Sequence, residues 1–129
     1  MIKAKTPKLT SKDLELKKLA ENLYREMFGK DLNLDNVKFN SRISRKLGYV
    51  KGIKYYKTQH FEIMELGISD KLIDDMDRLI KVIKHELIHV YCIREYGEHG
   101  HGYYFKKLSM KFKIHYVNNY TGRLMFTCS

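Results

Sequence analysis

The order of residues predicts an α+β fold: an N-terminal helix, a small three-stranded antiparallel sheet, a long helix and a shorter one after it. Three observations carry that prediction. Apolar residues recur at helical spacing near both ends of the chain, short segments rich in β-branched and aromatic residues lie between them, and glycines separate the blocks. Strands followed by helices are the α+β pattern. At 129 residues the chain is expected to form a single domain, 1–129, with the Lys-rich stretch 1–9 as a flexible leader.

Each element has its own signal. Thr10, with Asp13 three residues on, can cap the first helix; Leu16, Leu19, Leu23 and Met27 form its buried stripe, and Gly29 ends it. Strands are expected near 37–43, 49–57 and 60–66, the last two joined by a tight turn around Thr58-Gln59. A long helix is expected from about Asp74 to Arg94, where Leu79, Ile80, Val82, Ile83, Leu87, Ile88, Val90 and Tyr91 recur without Gly or Pro between them. Asp74, Asp75 and Asp77 put negative charge at its first turn, where the helix dipole favours it. Most of its circumference is apolar, so it should cross the core. Gly97-Glu98-His99-Gly100-His101-Gly102 then breaks the helix and reverses the chain. Tyr104, Phe105, Leu108, Phe112 and Ile114 resume a helical stripe.

Within the long helix, His85-Glu86-Leu87-Ile88-His89 is the most informative run. Two histidines four apart share one helix face, so both imidazoles can reach one metal ion. Glu86 lies about 100° round from His85, where a carboxylate can hold a water beside the metal without ligating it. Buried histidines and a buried glutamate need partners, which a metal supplies. Zinc needs a third protein ligand, and His99, His101, His115, Glu95, Glu98 and Cys92 are candidates. Cys92 shares the histidine face but lies ~10 Å along the axis from His85, too far to converge, and reads as a core residue. His101, between glycines at the start of the second helix, is preferred to His99, and both stay open. His60 and His115 read as ordinary surface or sheet histidines.

HELIHVY, followed by Gly100-His101-Gly102-Tyr103-Tyr104-Phe105, resembles the SprT-like metalloprotease family, which includes the Spartan proteases. Val37-Lys38-Phe39-Asn40-Ser41-Arg42 resembles the family's first strand, and Glu62 to Ser69 the strand and turn before its zinc helix. The resemblance covers about residues 10–115. It implies that His85, His89 and His101 hold one Zn2+ and that Glu86 is catalytic. It also implies substrates that are proteins on, or crosslinked to, DNA. Many members continue into a four-cysteine zinc ribbon; with only Cys92 and Cys128 here, the ribbon is expected to be absent and Cys128 to be a stray residue.

Net charge is +10, and it is unevenly placed. Residues 36–61 hold seven Lys or Arg and no acid, whereas 62–98 hold nine acids against five bases. The second strand alternates Tyr49, Lys51, Ile53, Tyr55 and Lys57, setting aromatic and basic groups on one face as sequence-tolerant single-strand binding requires. Single-stranded DNA is therefore an expected partner, contacted by Arg42, Arg45, Lys46, Lys51, Lys54 and Tyr55, with bases stacking at Tyr49 and Tyr55. No apolar run approaches ~18 residues and no signal-peptide core is visible, so no membrane association is expected. Two cysteines give no disulfide framework, which points to a cytoplasmic setting, nucleoid-associated if DNA is bound.

The expected function is a zinc endopeptidase acting on DNA-bound or DNA-crosslinked proteins, with Glu86 as general base and Tyr91, Tyr103 or Tyr104 as oxyanion donor. The alternatives are an HExxH endopeptidase with no DNA role, and a non-catalytic binding module stapled by zinc, which would have no use for Glu86.

Overall fold

The first helix, α1 (Ser11–Phe28), begins where the sequence requires. The Thr10 side chain accepts the Asp13 N–H and the Asp13 carboxylate accepts the Thr10 N–H, each at 3.1 Å, and Gly29 ends the helix at φ 68°. Asp13 also accepts the Phe39 N–H at 2.8 Å, fastening α1 to the sheet. The inward face is Leu16, Ala20, Leu23 and Tyr24, with Leu19 and Met27 half-buried beside it. The computed structural model describes residues 10–43, 45–58 and 60–114; the expected leader 1–9, the turn residue Gln59, His115 and Cys128 lie outside them.

Three strands follow, β1 (Val37–Asn40), β2 (Gly48–Tyr55) and β3 (His60–Ser69), in the spatial order β1-β3-β2. β2 and β3 form the expected antiparallel hairpin, but β1 runs parallel to β3, with Val37 opposite Leu66 and Asn40 opposite Ser69. The sheet is mixed, and the antiparallel expectation is corrected. Pairing chain neighbours is the default rule; here β3 inserts between β1 and β2, so residues 41–47 pass from one edge to the other. That order sets Val37, Leu66 and Ile68, all fully buried, side by side in the core.

The strand ends differ from the expected ones: β2 stops at Tyr55 rather than Lys57, and the other two differ further. β1 stops at Asn40, because the Asn40 side-chain oxygen accepts the Arg42 N–H at 2.8 Å and turns the chain there. β3 continues through Gly67 to Ser69, past the expected end at Leu66. The Tyr49 ring lies across that position, where a Cβ would stand 2.1 Å from a ring carbon.

After a 3-10 turn at Asp70–Leu72 comes α2 (Met76–Tyr96), capped by Asp75 accepting the Arg78 N–H at 3.3 Å. It crosses the core as expected, with Leu79, Val82, Ile83, Leu87 and Val90 buried against α1 and the sheet. Gly97 ends it at φ 67°. The last described helix, α3 (Tyr103–Lys111), packs on α2 through Ile88, Cys92, Phe105 and Ile114. Tyr104 leaves the expected stripe: it is exposed and stacks on Tyr96 at 3.7 Å. Among the described residues no helix is long and apolar enough to cross a membrane.

Candidate metal centre

α2 carries His85 and His89 one turn apart on its buried face, with imidazole centroids separated by 5.0 Å. The chain reversal after Gly97 returns His101 to them, 5.3 Å from His85 and 4.8 Å from His89 between centroids. One ligating atom from each of the three lies within 4.8 Å of the others. Zinc–nitrogen bonds of about 2.0–2.1 Å place tetrahedral donors about 3.4 Å apart, a distance small side-chain rotations reach. The three histidines are positioned to hold a metal ion.

Two residues set the loop that delivers His101. Gly102, the N-cap of α3, offers no side-chain cap. Glu98 takes over that role, accepting the Tyr104 N–H at 3.1 Å and the Phe105 N–H at 2.8 Å. A Cβ at residue 102 would stand 2.6 Å from the Glu98 carboxylate, so a larger residue there would push the carboxylate aside from its present position. Phe105, fully buried, then stacks on His89 at 4.2 Å, meets His85 edgewise at 4.9 Å and lies tilted against His101 at 4.7 Å. One ring thus braces all three imidazoles.

The electrostatics suit a metal. Burial, reinforced by His85 and His101, pushes the His89 pKa down to about 2, and burial, reinforced by Lys106, lowers that of His101. Both rings stay neutral, the form that ligates. His89 Nε2 is buried with no hydrogen-bond partner, a cost that a metal ion removes. Glu86 is fully buried next to the histidines, and the β2 backbone presses on it: a Cβ on Gly48 would stand 3.0 Å from its Cγ and 3.1 Å from Oε2. The remaining ligand candidates go elsewhere. His99 packs edge-on against Phe61 at 4.6 Å, and Glu95 pairs with Lys30 at 3.4 Å. Burial, reinforced by the nearby Glu98 charge, lifts the Cys92 thiol to about 12, so it stays protonated.

A family model, that of the SprT-like family, matches residues 16–122. The chain belongs to the SprT-like family. Searches of the curated proteins and of the solved structures each found no match. The SprT-like family is associated with metallopeptidase activity, and the histidine cluster fits a metal-dependent hydrolase of that kind.

A cleft of about 380 Å³ opens beside His89, between β2 on one wall and α2 with the 97–102 loop on the other. None of Tyr91, Tyr103 and Tyr104 lines it. Tyr91 stacks on Phe28 at 4.1 Å, Tyr104 on Tyr96, and Tyr103 lies under Lys107 at 5.7 Å. His99 and Lys51 line it instead.

The residues expected to meet DNA are scattered in their surroundings. Arg42, Arg45 and Lys54 are exposed; Lys46 is half-buried, 5.9 Å above the Tyr49 ring; and Lys51 faces Glu65 across the ladder. Tyr55, 45% exposed, donates to Glu62 at 3.3 Å and stacks on His60. Tyr49 cannot stack a base. It is buried, bonded through its hydroxyl to Glu65 and Asn40, and its pKa is raised to about 12 by burial and the Glu65 bond. The expected alternation of β2 does not hold: Gly48, Tyr49 and Val50 are all buried, Lys51, Ile53, Lys54 and Tyr55 are exposed, the register shifts at Lys51/Gly52, and Gly67 opposite Tyr49 leaves room for its ring to lie inward.

Sequence reasoning missed the parts played by Gly48 and Glu98. A lone glycine heading a strand signals close backbone approach, and it was available for Gly48. For Glu98 the sequence suggests a ligand; the signal for its capping role is the lack of a capping side chain at Gly102.

Proposed function

We propose that this chain is a zinc-dependent endopeptidase acting on DNA-bound or DNA-crosslinked proteins, with His85, His89 and His101 as ligands and Glu86 as general base. The convergence of three buried or half-buried histidines beside a fully buried, non-converging Glu86 carries the reading. A purely structural site has no use for that carboxylate. Zinc, when bound, supplies Lewis acidity that polarises a carbonyl and brings the pKa of water towards about 7. The rest is done by side chains and backbone. Glu86 accepts the proton of the water that adds to the scissile carbonyl carbon, then returns it to the amide nitrogen as the C–N bond breaks. Gly48, by lacking a Cβ, leaves the room on β2 that the Glu86 side chain occupies. β2 is an edge strand, to which an extended polypeptide can be added so that it runs past His89.

Support for DNA is the acid-free run 36–61 and the exposure of Arg42, Arg45, Lys51, Lys54 and Tyr55. Cleavage of a DNA-binding protein by the zinc-loaded chain, alone and with single- or double-stranded DNA, tests both halves. Stimulation by single strands is expected; equal cleavage without DNA would leave a peptidase with no DNA role. Neutralising Arg45, Lys46, Lys51 and Lys54 together should weaken single-strand binding and flatten its log–log salt dependence by up to roughly 3, at ~0.7 per phosphate contact. Unchanged binding would move the interface elsewhere.

A further inference from the structure

We infer that the cleft beside His89 is a substrate subsite that takes one bulky apolar side chain next to the scissile bond; this rests on the peptidase reading above. The cleft is built for that purpose by one contact across the sheet. Phe61 belongs to the central strand, yet its ring lies over Gly52 of the edge strand, where a Cβ would stand 2.5 Å from two ring carbons. The ladder shifts register at Lys51/Gly52, the same place. Having crossed the edge strand, the ring meets His99 edge-on at 4.6 Å, so an aromatic pair closes the cleft between the sheet and the loop that carries His101. Val50 and Ile93 complete the apolar walls, and His89 is part of the lining.

The volume of about 380 Å³ falls within the ~300–1,000 Å³ of ordinary ligand sites. Two features decide the occupant. The cleft meets the histidine cluster at His89, which lines it, and is flanked by edge-strand backbone, so a chain laid along β2 drops a side chain into it. Its polar wall groups are Lys51 and the imidazoles, with no carboxylate among them, so a lysine or arginine side chain finds no counter-charge. Leucine, methionine or phenylalanine fits; small or basic residues do not.

The test uses the zinc-loaded Glu86→Gln chain and fluorescent peptides that differ at one residue, Leu or Phe against Ala or Lys, with binding read by anisotropy. The bulky apolar peptides should bind about 10-fold or more tightly than the alanine peptide, the discrimination an apolar pocket gives. His99→Ala, at an exposed position, should erode that preference several-fold, and so should Phe61→Ala if circular dichroism shows it folded. Cleavage-site mapping with the parent should show the same residue class flanking the cut bond. Equal binding of apolar, alanine and lysine peptides, with cleavage intact but unselective, overturns the subsite and leaves the peptidase. No binding and no cleavage of any peptide or unfolded protein overturns the peptidase reading and the subsite with it.

Discussion

Phe105→Ala is the sharpest perturbation of the metal centre that leaves every ligand in place. The ring is fully buried and touches all three histidines, besides packing in the Ile88–Cys92–Ile114 cluster. Truncating a buried phenylalanine costs about 3–5 kcal/mol in lost transfer free energy and residual cavity. For a domain of this length each kcal/mol moves Tm by about 3–5 °C, so the metal-free variant should melt roughly 10–20 °C lower. Loosened imidazoles should also weaken zinc by about 10–100-fold, the usual effect of removing a group that orients ligands. At fixed excess zinc a 100-fold loss removes about 2.7 kcal/mol of metal-dependent stabilisation, so the zinc-induced rise in Tm should shrink as well. Thermal unfolding with and without zinc, and chelator competition for affinity, read the two effects separately. Phe105→Leu, which refills part of the volume, should fall between parent and Ala on both. An Ala variant with zinc affinity within twofold of the parent would refute the bracing role, whatever its Tm.

Glu86→Gln keeps size and shape but removes the base, so zinc content and Tm should hold while hydrolysis falls by about 100-fold or more; undiminished cleavage would assign the proton transfer elsewhere. Glu98→Ala strips two backbone N–H groups of their cap and should cost about 1–3 kcal/mol of unfolding free energy in urea. Glu98→Gln should restore part of it, and an Ala variant as stable as the parent would show the cap to be idle. In the metal-free protein, acidification should destabilise. His89 is protonated near 6.5 when unfolded but only near 2 when folded, so between those values the unfolded state binds the extra proton and stability rises with pH. From pH 7 down to 5 the loss is about 2 kcal/mol from this group; a urea midpoint that does not move over that range would contradict the burial of a neutral His89.

The fold was legible where a local rule decides it. Thr10, Asp13 and Gly29 bound α1, and the unbroken apolar run through His85 and His89 located α2, because caps and periodicity act within a few residues. The parallel pairing of β1 with β3 was not legible. It depends on which strand lies between which, and no short-range signal states that β3 enters the gap between its two predecessors. The run of β3 past Leu66 was not legible for a related reason: a glycine inside a strand and one in a turn look alike until the ring that needs the space, Tyr49 on another strand, is known.

The same division separates what was found of the site from what was missed. His85, Glu86 and His89 share a helix, so their spacing alone fixes their geometry, whereas His101 had to be preferred over His99 across a loop. The structure distinguishes the two by their neighbours: His101 packs on Phe105, whose N–H Glu98 caps, and on the histidines of α2, while His99, two residues earlier, turns out to Phe61. Charge counts were the least transferable. Residues 36–61 carry no acid, but the ladder brings Glu65 opposite Lys51 and Glu62 opposite Ile53, so the face that looked purely basic along the chain is mixed across the sheet. Arg42 and Arg45, by contrast, are exposed and lie outside the paired residues of the described ladders, so no ladder partner sets a carboxylate opposite either of them.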